Sequence, residues 1–341
     1  MAANAIYEAH SICSDSWWAG SPTAFPIGLR GRLARGYVRA LMAAFGLLPK
    51  SDFLDPDYDW ARFRRFIAAS ERILDAYPTI VRRSPATVGE VPGEWLQDSR
   101  RGSEAAGIDE PVVLYVHGGS YVLPRSGMHD TLAANIARES GLRVFAVDYR
   151  IAPEHPWPAG LKDVVRVHRA LLASNRSAER IAIVGDSAGG GLALASLLRL
   201  RALDVPRPAA FVAFSPWADL TFSGASIIEN ARADPFRSDV EYVALFAQLY
   251  LQGADASDPL ASPALADLSD LPDTLVHVGS TDLLLDDARQ IVDGIRAGGG
   301  NARLDVWDEM PHVWQRLYHL IPEAACSIAG AGQFLRRRLR A

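Results

Sequence analysis

Residues 180–194 read Arg-Ile-Ala-Ile-Val-Gly-Asp-Ser-Ala-Gly-Gly-Gly-Leu-Ala-Leu, and this stretch decides the fold class of the chain. A short β-rich run passes through Gly185-x-Ser187-x-Gly189 directly into a helical pattern. A turn this sharp needs glycine two residues before and two residues after the serine, because Cβ atoms at these positions would clash. The pattern predicts that Ser187 lies in a strained turn, with its hydroxyl above the edge of a sheet and at the N-terminus of a helix.

The chain on both sides of this turn alternates between strand and helix patterns from about residue 111. Short apolar runs that end at Gly, Pro, Asp or Ser predict strands at Val112–Val116, Arg143–Val147, Ile181–Val184, Ala210–Phe214, Leu275–Val278 and Leu304–Trp307. Helical patterns lie near 127–139, 160–174, 188–203, 239–252, 286–297 and 322–339. This alternation is typical of the α/β class, in which helices cover both faces of a mostly parallel sheet.

The segments outside the alternation predict a cap. Residues 1–85 are rich in aromatic residues and arginine and show helical periodicity in 30–48 and 58–77. We expect 1–85 to form an N-terminal helical cap or lid on a catalytic domain of residues 86–341, with a further contribution from about 218–260. The segment 30–48 also fits a helix on a membrane surface, but a lid helix with its apolar face on the core is the favoured interpretation.

Composition and charge exclude several classes of protein. Of the 341 residues 49% are hydrophobic and 22% charged, as in globular proteins, and the net charge of −5 gives no reason to expect nucleic acid as a partner. No uncharged apolar run reaches about 18 residues, so no membrane span is expected. The N-terminus lacks a secretory pattern, which favours the cytoplasm. Cys13 and Cys326 have no metal or redox spacing, and no disulfide is expected.

A glycine-rich turn after a strand can also bind a phosphate group. A dinucleotide site would require Gly-x-Gly-x-x-Gly here and an acidic residue about 20 positions later, and neither is present in that register. The Gly-x-x-x-x-Gly-Lys-Ser/Thr motif does not occur, and the two lysines, Lys50 and Lys162, lie elsewhere. We therefore interpret Ser187 as a nucleophile.

A second motif, His-Gly-Gly-Ser-Tyr at residues 117–121, directly follows a predicted strand. A tetrahedral intermediate needs amide N–H donors close to its developing oxyanion, and glycines let the backbone approach it. The amides of Gly118, Gly119 and Ala188 are the expected donors of such an oxyanion hole. His117 is expected to pin this loop.

The acid and the base of such a site follow the nucleophile in the chain, each after a later strand. Asp282 is the first acidic residue after the predicted strand Leu275–Val278. Asp286 and Asp287 are the alternatives, but they fall in the first turn of the next predicted helix, where acidic side chains stabilise the helix dipole. Asp282 is therefore the expected acid.

The base is sought among the histidines that follow Asp282. His312 lies in the loop after the predicted strand Leu304–Trp307, whereas His319 belongs to a helical pattern. We expect His312 to take the proton of Ser187 during attack and to return it to the leaving group. Asp282 would fix the imidazole tautomer and stabilise the imidazolium.

With these residues assigned, the chain resembles the hormone-sensitive-lipase-like family of α/β-hydrolases, in its bacterial esterase branch, over roughly residues 85–340. The motifs that carry the resemblance are His117-Gly-Gly-Ser120, the segment 148–158, Gly185-Asp-Ser-Ala-Gly189, the segment 258–263, and the pair Asp282 and His312. The resemblance implies an eight-stranded sheet with a helical cap and hydrolysis of carboxylic esters without metal or cofactor. It also implies that 148–158 braces the oxyanion loop, and that a homodimer forms through the last strand and helix.

The chain departs from the family pattern at three places. Ser120 stands where glycine is usual after His-Gly-Gly, and Val313 stands where the family commonly has glycine after the histidine. The first 85 residues match poorly, and in this family that region shapes the choice of substrate. Ser120 and Tyr121 are the expected substrate contacts.

The expected substrate is a small-molecule ester with a small to medium acyl chain. The same triad also hydrolyses lactones, amides and carbamates, and the motifs do not separate these reactions. A non-catalytic small-molecule receptor on the same fold is a further alternative. Such receptors resemble the family but have lost the base, whereas this chain has Ser187, Asp282 and His312.

Overall fold

The computed structural model describes residues 51–55, 57–71, 77–101, 110–231, 233 and 240–339. Within these residues the strands are β1 Val81–Val88, β2 Val91–Asp98, β3 Val112–Val116, β4 Arg143–Val147, β5 Ile181–Asp186, β6 Ala210–Phe214, β7 Asp273–Gly279 and β8 Ala302–Trp307. The helices are α1 Trp60–Glu71, α2 Gly127–Ser140, α3 Ala159–Ala173, α4 Ala188–Ala202, α5 Ser226–Glu229, α6 Val240–Leu251, α7 Leu285–Ala297 and α8 Pro322–Leu339.

The eight strands of the described residues form one sheet in the order β1-β2-β4-β3-β5-β6-β7-β8. Strands β3 to β8 are parallel, whereas β2 pairs antiparallel with both β1 and β4. Every side chain of β3 and of β6 is buried, as expected for parallel strands with both faces covered. The prediction of an eight-stranded, mostly parallel sheet is confirmed.

Helices cover both faces of this sheet and divide the core into two layers. One layer holds the buried side chains of α3, α4 and α7, and the other those of α2 and α8. Because β3, β5, β7 and β8 are parallel, the loops that follow them lie along one edge of the sheet. These are the loops that carry the expected site residues.

The antiparallel pair β1 and β2 is absent from the sequence-based prediction, which begins its strands at residue 111. Strand β1 exposes four consecutive residues, Arg82 to Pro85, so the alternation of buried and exposed side chains is missing at this edge. The expected boundary between cap and catalytic domain, at residue 85, falls inside β1. The division into 1–85 and 86–341 otherwise stays a prediction.

The described part of the expected cap packs on α6 through aromatic rings. The ring of Phe53 lies 4.9 Å from that of Phe63 and 5.9 Å from that of Tyr242, measured between centroids. From α1, Arg64 forms an ion pair with Glu154 and donates to the carbonyl oxygen of Val122. This helix is therefore joined to the loops above the sheet.

Two further expectations concern segments near the termini. The predicted helix 30–48 lies outside the described residues. Cys326 in α8 is disulfide-bonded, so the expectation of no disulfide is wrong at this residue. Separation along the sequence does not limit which cysteines a fold brings together, and Cys13, the other cysteine of the chain, lies outside the described residues. Among the described residues, no helix has the length and apolar character needed to cross a membrane.

Candidate active site

Ser187 lies between the end of β5 and the first residue of α4, in a strained backbone conformation with φ 54° and ψ −126°. A non-glycine residue in such a region costs about 1–3 kcal/mol and persists only when its surroundings hold it. Here its N–H donates to the carbonyl oxygen of Phe214 at 2.9 Å, and its own carbonyl accepts from the N–H of Trp217 at 2.9 Å. The turn is thus held by the end of β6 and the loop that follows.

Gly189 lets the first turn of α4 lie directly against the end of β3. A Cβ atom on this residue would come 2.1 Å from the carbonyl oxygen of Val116 and 2.4 Å from that of His117. No side chain fits in that space, because real Cβ contacts are longer than 3.0 Å. The nucleophile turn and the His-Gly-Gly loop are therefore in contact.

Ser187, His312 and Asp282 form a continuous chain of hydrogen bonds. His312 Nε2 lies 2.9 Å from Ser187 Oγ, and His312 Nδ1 lies 3.1 and 3.2 Å from the two carboxylate oxygens of Asp282. An ionised carboxylate only accepts, so Nδ1 carries the hydrogen of the neutral imidazole and Nε2 accepts from the serine hydroxyl. All three side chains are buried, with exposures of 1%, 5% and 0%.

The charge of Asp282 is stabilised inside the protein. Burial alone would raise its pKa, but the charge and hydrogen bond of His312, a hydrogen bond from Ser215 and the amide of Leu284 together hold the pKa below its ordinary value. The Leu284 amide donates over 3.0 Å. Asp282 is therefore an anion throughout the pH range in which an imidazole titrates.

Ser215 is a site residue that the sequence reasoning missed. Its hydroxyl hydrogen-bonds to Asp282 and accepts from the N–H of Val313 at 3.1 Å, so it joins the acid to the residue after the base. Its backbone has φ 49°, and its N–H donates to the carbonyl oxygen of His277 in β7. The only signal in the sequence is its position directly after a predicted strand.

The amide of Gly118, expected in the oxyanion hole, is directed elsewhere. It donates to Asp186 Oδ1 over 3.1 Å. By contrast, no acceptor is present among the described residues for the amides of Gly119 and Ala188. The Ala188 amide is the first of α4, where intrahelical acceptors are lacking. Gly119 has φ 109°, a conformation that requires glycine.

The expected substrate contacts, Ser120 and Tyr121, are both buried. Ser120 is 7% exposed and has φ 55°. The ring of Tyr121 stacks on that of Tyr250 at 4.0 Å, and its hydroxyl donates to the carbonyl oxygen of Trp217 at 2.9 Å. The Tyr121 hydroxyl is thus bound within the protein, and the expectation that Ser120 and Tyr121 contact the substrate stays a prediction.

His117 holds the oxyanion loop from within. Its Nδ1–H donates to the Gly118 carbonyl over 2.6 Å, and its ring stacks on Tyr149 at 4.3 Å. Burial lowers its pKa to about 4, so the ring is neutral at physiological pH. The Tyr149 hydroxyl donates to the His117 carbonyl, and Ala152 N–H donates to the Tyr121 carbonyl. These contacts agree with the bracing role expected for 148–158.

Comparison with known proteins agrees with this geometry. Residues 113–316 match the family described as having the alpha/beta hydrolase fold. The structure of an esterase from the bacterial hormone-sensitive lipase family is 38% identical, with a TM-score of 0.81 over 92% of this chain and 100% of that chain. The chain belongs to the hormone-sensitive-lipase-like family of α/β-hydrolases.

Two bacterial proteins are further relatives of this α/β-hydrolase. An acetyl-hydrolase from Streptomyces hygroscopicus is 40% identical over 250 residues, which cover 73% of this chain and 81% of the relative. An esterase from Acinetobacter venetianus is 30% identical over 263 residues, which cover 77% of this chain and 84% of the relative. Among the described residues of the hydrolase, no group of three or more His, Cys, Asp and Glu could hold a metal ion.

The two acids that were alternatives to Asp282 have other partners in the hydrolase. Asp286 accepts from the Ser226 amide and pairs with Arg289. Asp287 is buried, and its Oδ2 accepts from the amides of Ala218 and Asp219 at 2.8 and 2.9 Å. Burial raises the pKa of Asp287 to about 8, helped by the charge of Asp219, although the two amides act in the opposite direction.

The raised pKa of Asp287 predicts a specific pH dependence of stability. An unfolded Asp titrates near 3.9, so between about pH 4 and 8 the folded chain binds one more proton here than the unfolded chain. The free energy of unfolding then falls as pH rises, by up to about 1.4 kcal/mol per pH unit. Asp287→Asn keeps an acceptor for both amides and should flatten this slope in urea unfolding from pH 5 to 8.

Asp286→Asn is the matched control for this measurement. Burial opposes its charge, but the amide of Ser226 and the pair with Arg289 hold the Asp286 pKa below its ordinary value. Its stabilising charge is therefore fully present above about pH 4. The control should keep the wild-type slope, and an equal slope in wild type and Asp287→Asn would contradict the protonated state of Asp287.

Two of the three departures from the family pattern, Ser120 and Val313, fall on left-handed backbone, which explains why glycine is usual at these positions. Val313 has φ 43° and ψ 48°, and Ser120 has φ 55°. Such a conformation costs a non-glycine residue roughly 1–2 kcal/mol. The isopropyl group of Val313 is 1% exposed, and its burial contributes about 1.5–3 kcal/mol in the opposite direction.

Glycine substitutions at these two positions should therefore have different effects on stability. Ser120→Gly should leave the free energy of unfolding unchanged or raise it by up to about 1 kcal/mol, because relief of strain outweighs the entropy that glycine adds to the unfolded chain. Val313→Gly should lower it by about 1–2 kcal/mol, because buried apolar surface is lost. Urea unfolding measures both variants. If Ser120→Gly lowered the free energy of unfolding by more than Val313→Gly does, the strain argument would be contradicted.

Proposed function

We propose that this chain is a carboxylesterase that cleaves esters of small to medium acyl chains, with Ser187 as its nucleophile. The observation that carries the proposal is the buried chain of hydrogen bonds from Ser187 through His312 to Asp282. The relatives support it, since they are named as an acetyl-hydrolase and esterases. The acetyl-hydrolase favours the short end of the acyl range.

Acylation follows from the position of the two ring nitrogens. Ser187 Oγ attacks the ester carbonyl carbon while His312 Nε2 takes its proton, which forms a tetrahedral oxyanion and an imidazolium. The imidazolium returns the proton to the alkoxide as the C–O bond breaks, and the alcohol leaves. Water then attacks the acyl-enzyme with His312 again as base, which releases the acid and restores Ser187.

The developing charges have separate stabilising groups. Asp282, ionised and fixed by the Leu284 amide, stabilises the imidazolium and holds Nε2 toward the serine. The amides of Gly119 and Ala188 are the proposed oxyanion donors. Each such donor typically contributes roughly 10²–10³ in rate.

The compartment and the assembly stay predictions. The cytoplasm is the compartment expected from the sequence, whereas the disulfide of Cys326 favours an oxidising one. A homodimer through the last strand and helix remains an expectation from the family resemblance.

Kinetics on p-nitrophenyl acetate, butyrate, octanoate and palmitate test the proposal. We expect kcat/KM to be highest on acetate and butyrate, Ser187→Ala to be inactive, and Asp282→Asn to lose about 10⁴ in kcat because the wrong imidazole tautomer forms. Asp286→Asn, the neighbouring acid that binds Ser226 and Arg289, should stay within a few-fold of wild type.

Three outcomes would contradict the proposal. If Ser187→Ala hydrolysed esters at the wild-type rate, Ser187 would not be the nucleophile. Equal kcat/KM on acetate and palmitate would contradict the acyl range. A higher kcat/KM on a lactone or an anilide than on any ester would favour the alternative reactions.

A further inference from the structure

Asp186, the residue between Gly185 and Ser187, has no assigned part in the chemistry, yet it binds donors from two distant segments of the chain. Its Oδ1 accepts from the hydroxyl of Tyr115 at 2.5 Å and from the amide of Gly118 at 3.1 Å. Its Oδ2 accepts from Arg316 Nε at 3.2 Å and also from Arg316 Nη2. The carboxylate is fully buried, with 0% of its side chain exposed.

The donors lie on the segments that carry the proposed chemistry. Tyr115 is in β3, and Gly118 precedes the proposed oxyanion donor Gly119. Arg316 lies in the short 3₁₀ turn Trp314–Leu317, four residues after His312. Asp186 itself precedes the nucleophile. One carboxylate therefore joins the nucleophile turn, the oxyanion loop and the loop of the base.

The fit around this carboxylate leaves no room for a side chain on the oxyanion loop. A Cβ atom on Gly118 would lie 2.6 Å from Arg316 Nη2 and 2.7 Å from Asp186 Oδ2. The ion pair therefore packs directly against the loop backbone, and the position of that backbone depends on the pair. The ion pair thus explains why Gly118 carries no side chain, because a Cβ atom there would collide with both members of the pair.

The pair is also electrically suited to its place beneath an oxyanion. An unpaired carboxylate beside Ser187 would oppose the negative charge that develops during attack. Burial opposes the charge of Arg316, but the carboxylate of Asp186, together with Tyr115 and Glu71, raises the Arg316 pKa above its ordinary value. Burial, together with the charge of Arg316, keeps the pKa of His129 well below its ordinary value, so that ring adds no charge.

We propose that Asp186 is a positioning residue, which acts with Arg316 to hold the Gly118–Gly119 backbone so that the Gly119 amide is aimed at the oxyanion. The inference rests on the proposed function, because it concerns the same reaction. A positioning role affects the transition state more than the bound ester, since the donor is used fully only when the oxyanion forms.

Asp186→Asn tests this role because it keeps the size of the side chain and an acceptor for Gly118, but removes the charge that holds Arg316. We expect kcat on p-nitrophenyl butyrate to fall roughly 10²-fold, close to the loss of one oxyanion donor, with KM changed less than threefold. Binding of a trifluoromethyl ketone analogue of the ester should weaken in parallel with kcat/KM. The kcat of Arg316→Lys should lie between that of wild type and that of Arg316→Met.

Asp98→Asn is the matched control. Asp98 is another buried carboxylate that binds an arginine, Arg100, at the far end of β2, and it is 3% exposed. Its substitution should change the unfolding midpoint but leave kcat and the affinity for the ketone at wild-type values. All variants are compared at a temperature at which thermal unfolding shows each to be folded, and Arg316→Lys replaces Asp186→Asn if the latter does not fold.

The outcomes separate this inference from the proposed function. If wild type cleaves esters and Asp186→Asn keeps its kcat and its affinity for the ketone, the positioning role is wrong while the esterase stands. The positioning role is also wrong if Asp186→Asn keeps the wild-type kcat and raises only KM. If wild type itself cleaves no ester, the proposed function is wrong, and the inference that rests on it falls with it.

Discussion

The backbone of Ser187 is the constraint on which the site depends. Its positive φ points the hydroxyl away from the sheet, and hydrogen bonds to Phe214 and Trp217 hold it there. The strain of about 1–3 kcal/mol is local, whereas the sheet below it is buried on both faces and fixes β5 beside β3 and β6. A rigid sheet thus keeps in place a turn that would relax in a free peptide.

Asp282, Asp186 and Asp287 are among the carboxyl groups buried at this edge of the sheet, and each is accommodated differently. Asp282 stays ionised because His312 and neighbouring donors stabilise its charge. Asp186 is balanced by Arg316 and bound by Tyr115. Among the described residues no cation lies beside Asp287, and burial raises its pKa to about 8, so that it holds a proton at neutral pH. Of these three, only Asp282 contacts His312, so it is the carboxylate placed to stabilise the imidazolium.

The parts that the sequence predicts well are those with a strong local signal. Strands β3, β4 and β6 begin and end at the predicted residues, because continuous apolar runs are bounded by turn residues. The edge pair β1 and β2 was not predictable, because exposed arginines replace the alternation. The order of nucleophile, acid and base along the chain predicted Ser187, Asp282 and His312. Contacts between distant segments were not predictable, because the bonds of Gly118 with Asp186 and of Ser215 with Val313 leave no local pattern in the sequence.

Covalent labelling tests the central claim most directly. A fluorophosphonate reacts when an activated serine oxygen attacks phosphorus and fluoride leaves, and mass spectrometry of peptides locates the adduct. The account predicts a single adduct on Ser187 in wild type, none in Ser187→Ala, and labelling slowed by orders of magnitude in His312→Ala, because the base is gone. An adduct on another serine, or labelling of His312→Ala at the wild-type rate, would contradict it.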